Sequence, residues 1–443
     1  MTPRTALAAA LSAALLMVWT QPAAAVGLIR DAEIEATLHD LAAPIFVAAG
    51  LAPDAVDMII LSDSRPNAFV FGGRRMAFTT GLIQDMAGPG ELQGVIAHET
   101  GHITGGHLAR RAIAERNLRG PAAIAMLLSM AAAAAGGGGA GVAAGLGAQA
   151  TVQRALLAYS RSEESAADQA ALTFLEQARV DPEGMTTVLE RFRGQEIFSA
   201  ATRDPYVSTH PISAARLSLI SRRSGESPYV GKPASPEAVY RFDRMRAKLD
   251  GFLNHPASTL RDIKGATDEM SLMRRAVALH RLPDPDGAIE AADALIAIRP
   301  DDAYYHELKG QFMLESGRGP ASVAPYREAA RLAPDEPLIR AQLGRALLTL
   351  GDPAADAEAV LALESGVAAS DGGDPSVLRD LAFAYARSGR EGMAALVTAE
   401  RLALVGAAHD ARIQAARAKA LLQPGSPDWL RADDIVASLE SID

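Results

Sequence analysis

The sequence of 443 residues contains no cysteine. Disulfide bonds are therefore excluded as a source of stability, and thiolates are excluded as metal ligands. A lipid anchor attached through cysteine is excluded as well. Any metal site in this chain has to be built from histidine, aspartate and glutamate side chains.

A surplus of positive charge is also missing. The chain has 43 lysine and arginine residues against 53 aspartate and glutamate residues, which gives a formal net charge of -10. Proteins that bind nucleic acid usually present a basic surface to the phosphates. We therefore expect no nucleic-acid partner.

Long apolar runs are scarce. A membrane-spanning helix needs about 20 apolar residues. The apolar stretch near the amino terminus is short, and residues 1–25 have the pattern of a signal peptide. Arg4 supplies the positive charge, residues 6–19 are apolar, and three alanines precede a cleavage point at Val26. An uncleaved anchor is the alternative. Export of a chain with this composition indicates the bacterial periplasm as its location.

The length of the chain exceeds that of one ordinary domain. A stretch rich in serine, glycine and proline over 224–236 is the best boundary. We expect a first domain over 26–235, a connecting helix over 236–265 and a second domain over 266–443.

Hydrophobic periodicity predicts a first domain that is mainly α-helical with a small β element. Two glycines at 72 and 73 lie between the last two predicted strands, which indicates a hairpin. The predicted helices cover 31–50, 91–115 and 156–177, and the predicted strands cover 57–61, 68–71 and 76–79.

Residues 120–153 carry no charge and are rich in glycine and alanine. A buried or poorly ordered loop is one interpretation of this composition. A segment that contacts the membrane surface near the active site is the other. A transmembrane helix is disfavoured because a block of glycines interrupts the stretch.

The segment His98-Glu99-Thr100-Gly101-His102 lies on the predicted helix 91–115. Residues four apart share one face of a helix, so His98 and His102 can both bind one Zn²⁺ at about 2 Å. Glu99 is displaced by roughly 100° from His98, which puts its carboxylate beside the attacking water. The pattern therefore predicts a zinc site with Glu99 as the general base.

A catalytic zinc needs a third protein ligand, and helix 156–177 offers one. Glu164 and Asp168 are four residues apart and share a face, so Glu164 can complete the site. Asp168 can then accept the second ring N–H of a histidine ligand. On spacing alone Glu163 competes with Glu164, and a solvated acidic face is the alternative to both.

The chain beyond residue 266 repeats itself with a period of 34, which is typical of tetratricopeptide repeats. A generic helical bundle, or a solenoid that only stabilises the protein, are the alternatives. Stacked helix pairs leave a concave groove that holds extended peptides or partner segments. The positions that coincide after a shift of 34 are Pro300 with Pro334, Asp301 with Asp335, Gly310 with Gly344, Leu314 with Leu348, and Gly317 with Gly351.

HETGH followed about sixty residues later by Glu164-x-x-Ala167-Asp168 resembles the zinc metallopeptidases that include the CAAX prenyl proteases, HtpX and the periplasmic BepA-type proteases. The order of signal peptide, protease domain and tetratricopeptide repeats is that of the BepA type. The resemblance implies an α-rich gluzincin-type domain followed by an α-solenoid, with one Zn²⁺ per chain. It also selects Glu164 over Glu163 as the third ligand.

The resemblance implies roles for residues outside the two helices. His210 is expected to be a regulatory fourth ligand that holds the enzyme off; a histidine that only packs near the site is the alternative. Asn67, Ala68 and Phe69 are expected to form the edge strand that binds substrate, with a purely structural hairpin as the alternative. Arg216 is expected to contact substrate or to make a surface salt bridge. The helical register makes His107 a structural or supporting residue rather than a ligand.

The function implied is an endopeptidase of the bacterial cell envelope that hydrolyses misfolded or stalled outer-membrane proteins. Polypeptides would be its substrates, and the outer-membrane protein assembly machinery would be a partner of the repeats. The alternative is an assembly chaperone or scaffold that acts through its repeats while its zinc site stays largely silent.

Overall fold

The computed structural model describes residues 27–110, 161–194, 204–368 and 373–440. The predicted signal peptide and the uncharged segment 120–153 lie outside these residues. Among the described residues, every helix is too short or too polar to cross a membrane.

The described residues contain four strands, β1 (Gly27–Ile29), β2 (Asp57–Ser62), β3 (Ala68–Phe71) and β4 (Arg75–Thr79). They form one sheet with the order β1-β2-β4-β3. Strands β1 and β2 are antiparallel, β2 and β4 are parallel, and β4 and β3 are antiparallel. The hairpin predicted around the paired glycines is therefore present, and β3 lies at an edge of the sheet.

Helices pack on this sheet around one apolar core, to which the sheet contributes Ile60 and Phe78 and the helices contribute Leu38, Phe46 and Ile96. Alternate residues of β2 and β3 are buried, as expected for strands with one face on a core. The helices are α1 (Ala32–Ala48), α2 (Thr80–Asp85), α3 (Pro89–Thr104), α4 (161–177), α5 (Glu183–Arg191), α6 (Pro205–Thr209) and α7 (Ala214–Gly225).

The helix that carries HETGH is shorter than predicted. The periodicity predicts a helix that continues to residue 115, but α3 ends at Thr104 and a separate helical turn covers 107–110. Gly106 lies between them at a φ of 63°. This left-handed conformation ends a helix, and glycine adopts it at little cost in free energy. Gly105 and Gly106 therefore end the helix, which the hydrophobic periodicity alone does not indicate.

The interval predicted as one connecting helix contains two, α8 (Pro236–Leu253) and α9 (Pro256–Asp262). Proline disfavours the helical conformation of the residue before it, which explains the break at Pro256. Helix α8 contributes Phe242 and Met245 to the core of the first domain and Ala247 to the core of the first repeats. It is therefore a shared structural element rather than a flexible link.

The second half is a row of antiparallel helix pairs. The first helices of the first three pairs begin at Glu269, Ala303 and Pro337, which are 34 residues apart, and the fourth begins at Pro375. The predicted α-solenoid is confirmed. Its helices are α10 (Glu269–Arg281), α11 (Pro285–Ile298), α12 (Ala303–Glu315), α13 (Gly319–Leu332), α14 (Pro337–Leu348), α15 (Pro353–Ala368), α16 (Pro375–Arg387), α17 (Glu391–Leu404), α18 (Ala408–Leu421) and α19 (Pro427–Glu440).

A buried ionic network joins the start of α1 to the solenoid. The ammonium of Lys248 on α8 is fully buried and lies 2.9 Å from Asp31, 3.4 Å from Glu33 and 3.6 Å from Glu307. Arg244, one turn earlier, lies 2.6 Å from Glu33. Removing one partner from such a network leaves a buried charge uncompensated, so the network fixes how the repeats attach.

Glu336 lines a cavity between the two halves together with Arg30 and Glu35, and it accepts a hydrogen bond from the backbone N–H of Leu338 in α14. Burial raises the pKa of Glu336 to about 7. The hydrogen bond from Leu338 and the charge of Arg30 lower this pKa only in part, and the negative charges of Glu35 and Asp31 raise it further. This carboxyl therefore changes charge near neutral pH.

Candidate metal centre

Four side chains converge on one point between α3, α4 and α6. They are His98, His102, Glu164 and His210, and one potential ligand atom from each lies within 4.8 Å of the others. All four residues are buried. The structure thus brings together the three predicted ligands and the predicted regulatory histidine.

Five separations between atoms of these residues lie between 3.1 and 3.4 Å. His98 Nε2 lies 3.1 Å from His102 Nε2, 3.4 Å from Glu164 Oε2 and 3.2 Å from His210 Nδ1. His102 Nε2 lies 3.3 Å from Glu164 Oε1, and His210 Nδ1 lies 3.3 Å from Glu164 Oε2. Ligands placed about 2.0–2.1 Å from a tetrahedral zinc are roughly 3.3 Å apart, so the spacing fits such an ion.

The chemistry of the donors points the same way. Three ring nitrogens and the carboxylate of Glu164 face a common point, and each neutral imidazole has a lone pair on one of its two nitrogens. Burying such lone pairs together with a carboxylate is costly unless a cation binds them. Histidine nitrogen and glutamate oxygen are preferred zinc ligands. The residues present therefore fit a metal ion.

A close crossing of two helices places Glu164 beside the histidines. A Cβ on Gly101 would lie 2.7 Å from the carbonyl oxygen of Ala167, which is closer than atoms can approach without movement. Gly101 therefore lets α3 and α4 touch at this point, and Ala167 is itself small. Glu164, nearly one turn before Ala167, and Asp168, the residue directly after it, are then directed at the histidines.

Asp168 and Arg216 lie behind the ligand cluster. Asp168 Oδ1 is 3.0 Å from His98 Nδ1, the ring nitrogen that faces away from the cluster. Arg216 donates two hydrogen bonds to Asp168, at 2.7 and 2.8 Å, and one of its nitrogens lies 2.9 Å from Glu164 Oε2. Arg216 is only 6% exposed, so the surface salt bridge considered above does not occur.

Electrostatic effects act on Asp168 and His98 in opposite directions. Burial would raise the pKa of Asp168, but hydrogen bonds from Arg216 and His98 lower it. Burial would lower the pKa of His98, but hydrogen bonds to Asp168 and Glu164 raise it to about 10 in the metal-free protein. Asp168 is therefore an anionic acceptor that orients the ring of His98.

Glu99 and His210 contact each other on the open side of the cluster. Glu99 is 1% exposed, and its Oε1 lies 3.2 Å from His210 Nε2. The second nitrogen of His210 is thus turned toward Glu99 while the first faces the cluster. The ring of His210 therefore occupies the space next to the carboxylate of Glu99.

Two contacts of the cluster were not predicted in detail. Tyr206 is buried, and its ring lies 5.0 Å from that of His210 and 5.2 Å from that of Phe192. Tyr206 and His210 are four residues apart, and this spacing is the sequence feature that could have indicated their contact. His107 Nδ1 lies 2.9 Å from His102 Nδ1, so His107 contacts a candidate ligand from behind.

The edge strand β3 borders the cluster. A cavity of about 230 Å³ opens there, and it is lined by residues of β3, of the two crossing helices and of α6. His210 Nε2 lies 3.3 Å from the carbonyl oxygen of Ala68. Phe69 lines the cavity, and Asn67 contacts Thr209 beside it. The predicted edge-strand residues are therefore adjacent to the candidate metal centre.

The sequence of residues 29–224 matches the model of peptidase family M48. The chain carries a family M48 peptidase domain. It is a metalloendopeptidase, and a metal ion and polypeptide substrates follow from that assignment. The match includes the two crossing helices and His210.

Similarity to known proteins of this family extends beyond the M48 domain. The chain is 26% identical over 390 residues to the beta-barrel assembly-enhancing protease of Yersinia pestis, covering 86% of this chain and 78% of the relative. It is 23% identical over 331 residues to the protein of that name from Escherichia coli K12, covering 74% and 67%. A solved structure of MamA is 18% identical and covers 38% of this chain and 96% of its own, with a TM-score of 0.32.

Proposed function

We propose that the chain is a zinc-dependent endopeptidase of the bacterial cell envelope that is held inactive at rest by His210. His98, His102 and Glu164 would hold one Zn²⁺ per chain. The observation that carries this proposal is the convergence of these donors with His210, with Glu99 next to them, inside an M48 domain. No thiolate competes for the ion because the chain has no cysteine.

The chemistry divides between the ion and the chain. When bound, zinc lowers the pKa of water to about 7 and polarises the carbonyl to be attacked. Glu99 takes the proton of the attacking water and later delivers it to the nitrogen of the leaving amine, so the proton is conserved over the cycle. Asp168 keeps the ring of His98 oriented, and Arg216 holds Asp168 and Glu164 in place.

His210 would regulate this reaction. Its Nδ1 is as far from His98 Nε2 and Glu164 Oε2 as the other donors are from one another. A ligand in that position excludes the attacking water, and the contact of Nε2 with Glu99 also occupies the base. Activity therefore requires that His210 leave.

Misfolded or stalled outer-membrane proteins are the proposed substrates, and the periplasm is the proposed location. The names of the relatives, the predicted signal peptide and the solenoid support this proposal. The solenoid would bind the outer-membrane protein assembly machinery. Contact of the segment 120–153 with the membrane surface stays a prediction.

The decisive experiment replaces Glu99 by glutamine in the full chain. Glutamine cannot accept the proton of water, so casein cleavage should fall at least a hundredfold. Zinc measured in the purified protein should remain at one per chain, because Glu99 is not a proposed ligand. Glu176→Gln, at an exposed position of α4, is the matched control. Full activity of Glu99→Gln would refute the mechanism.

An assembly chaperone or scaffold is the second candidate, and the presence of His210 among the donors favours it because a blocked site can stay silent. The test is complementation of a deletion strain with the Glu99→Gln variant. Restoration of the outer-membrane barrier to the wild-type level would favour the scaffold over the protease.

A further inference from the structure

Helix α6 and His210 lie against three successive residues, of which two lead into β3 and the third is its first residue. Two of the contacts come from residues of α6 and the third comes from His210, which directly follows the helix. The contacts are Tyr206 N–H to Pro66 O at 3.2 Å, Thr209 Oγ1 to Asn67 Oδ1 at 3.2 Å, and His210 Nε2 to Ala68 O at 3.3 Å.

The last of these contacts is on the free side of the strand. The carbonyl of Asn67 accepts a hydrogen bond from Thr79 N at 2.9 Å, so it faces β4. Backbone groups of consecutive residues in a strand point to opposite sides, and the carbonyl of Ala68 therefore faces away from β4. A polypeptide that adds to this edge as a further strand would donate its own N–H to that carbonyl.

The ring of His210 connects this edge to the metal centre. If Nδ1 gives its lone pair to a metal ion, the proton of the neutral ring must be on Nε2. That N–H then points at the carbonyl of Ala68 and the carboxylate of Glu99, at 3.3 and 3.2 Å. A competitor for the carbonyl of Ala68 thus removes one of the partners that hold the ring.

We propose that α6 and His210 occupy the substrate-binding edge of β3, so that an extended polypeptide releases His210 by taking its place at Ala68. This inference rests on the proposed function and adds how the enzyme is switched on. Only a chain long and extended enough to pair along β3 as far as Ala68 would be a substrate. Asn67 would be a positioning residue that holds α6 on the strand through Thr209.

The first test weakens the contact between Asn67 and Thr209. Asn67→Ala and Thr209→Val should each raise casein cleavage about two- to fivefold, since one exposed hydrogen bond is worth ~0.5–1 kcal/mol and a tenfold change corresponds to about 1.4 kcal/mol. The double variant should be no more active than either single variant, because both remove the same contact. Unchanged or lowered activity of the single variants, or fully additive effects, would overturn the proposal.

Ser208→Ala is the matched control for these variants. Its hydroxyl lies 3.3 Å from the carbonyl of Asp204 within α6 and does not take part in the three contacts with β3. Thr209 also reaches two carbonyls within α6, at 3.0 and 3.1 Å. Activation of Ser208→Ala to the same extent would mean that loosening of the short helix, rather than release from β3, causes the effect.

The second test observes the metal rather than the activity. Co²⁺ bound to the Glu99→Gln variant should change its visible absorption when β-casein is added, because a nitrogen ligand leaves. A tripeptide at the same concentration should leave the spectrum unchanged. Absence of a change with β-casein at a concentration that saturates cleavage by the wild type would refute displacement of His210.

Failure of this inference can be told apart from failure of the proposed function. If neither the wild type nor His210→Ala cleaves casein, the endopeptidase proposal fails. If His210→Ala is activated while Asn67→Ala and Thr209→Val are not, His210 still inhibits but α6 is not held on β3 in the way proposed.

Discussion

Replacing Arg216 by methionine should destabilise the M48 domain, and most strongly without metal. The guanidinium is nearly inaccessible and contacts both Asp168 and Glu164 at 2.7–2.9 Å. Methionine has a side chain of similar length without charge, so the change removes the interactions and keeps much of the volume. Two buried carboxylates then lose their shared cation.

The expected loss follows from the burial of these groups. Removing one partner of a buried ion pair costs about 3–5 kcal/mol, because the remaining charge stays desolvated. For a domain of 150–250 residues each kcal/mol lowers the unfolding midpoint by about 2–4 °C, so the midpoint should fall by roughly 6–20 °C. Zinc would compensate the charge of Glu164, so the loss should be smaller in the loaded protein.

The assay has to report on the M48 domain itself. Trp429, on α19, is the only tryptophan outside the predicted signal peptide, so tryptophan fluorescence follows the end of the solenoid. Hydrogen exchange of the peptide covering α4, with zinc and with EDTA, measures the relevant opening. Arg222→Met, at an exposed position of α7, is the control. A loss below about 1 kcal/mol in EDTA, or an equal loss with zinc, would refute the reasoning.

Three further predictions concern the ligand choice, the helix crossing and the contact between the two halves. Glu164→Gln should abolish stoichiometric zinc binding in equilibrium dialysis, whereas Glu163→Gln should keep it; the reverse result would exchange their roles. Gly101→Ala should weaken zinc binding and cost roughly 1–3 kcal/mol in denaturant unfolding, because its Cβ has no room, whereas Gly90→Ala, which meets no neighbour, should be tolerated. Glu336 has a folded pKa of about 7 against 4.5 unfolded, so the folded state binds more protons between these values and stability falls as pH rises across that window. Glu336→Gln keeps the acceptor for α14 and should reduce this fall; an unchanged pH dependence of the unfolding midpoint would contradict the assignment.

Features set by local spacing could be predicted from the sequence. His98 and His102 lie on one face because residues four apart on a helix always do, and the same holds for Glu164 and Asp168. The hairpin of β3 and β4 follows from two glycines between two short apolar stretches. The solenoid follows from a 34-residue period that recurs along the second half of the chain. Each of these inferences needs only the spacing of residues along the chain.

Features set by tertiary contact could not be predicted in the same way. Arg216 is charged and lies on a helix with exposed arginines, so its sequence context favours the surface, yet it is buried against Asp168. The end of α3 depends on the left-handed conformation of Gly106. Helices also tolerate glycine in their interior, so the sequence alone does not show that the helix ends there. The register between α6 and β3 joins segments about 140 residues apart and leaves no periodic signal.

The close approach at Gly101 shows that the two short motifs describe a helix crossing as well as a set of ligands. His98 and His102 lie on α3 and Glu164 lies on α4. The three side chains can bind one zinc ion only if the backbones of the two helices come into contact. The glycine of HETGH and the alanine of Glu-x-x-Ala-Asp are the two residues that meet at that contact. Any side chain at Gly101 would separate Glu164 from both histidines at once. Metal binding therefore requires the small residues of the motifs as well as the ligands, because the small residues set the distance between the two helices that carry the ligands.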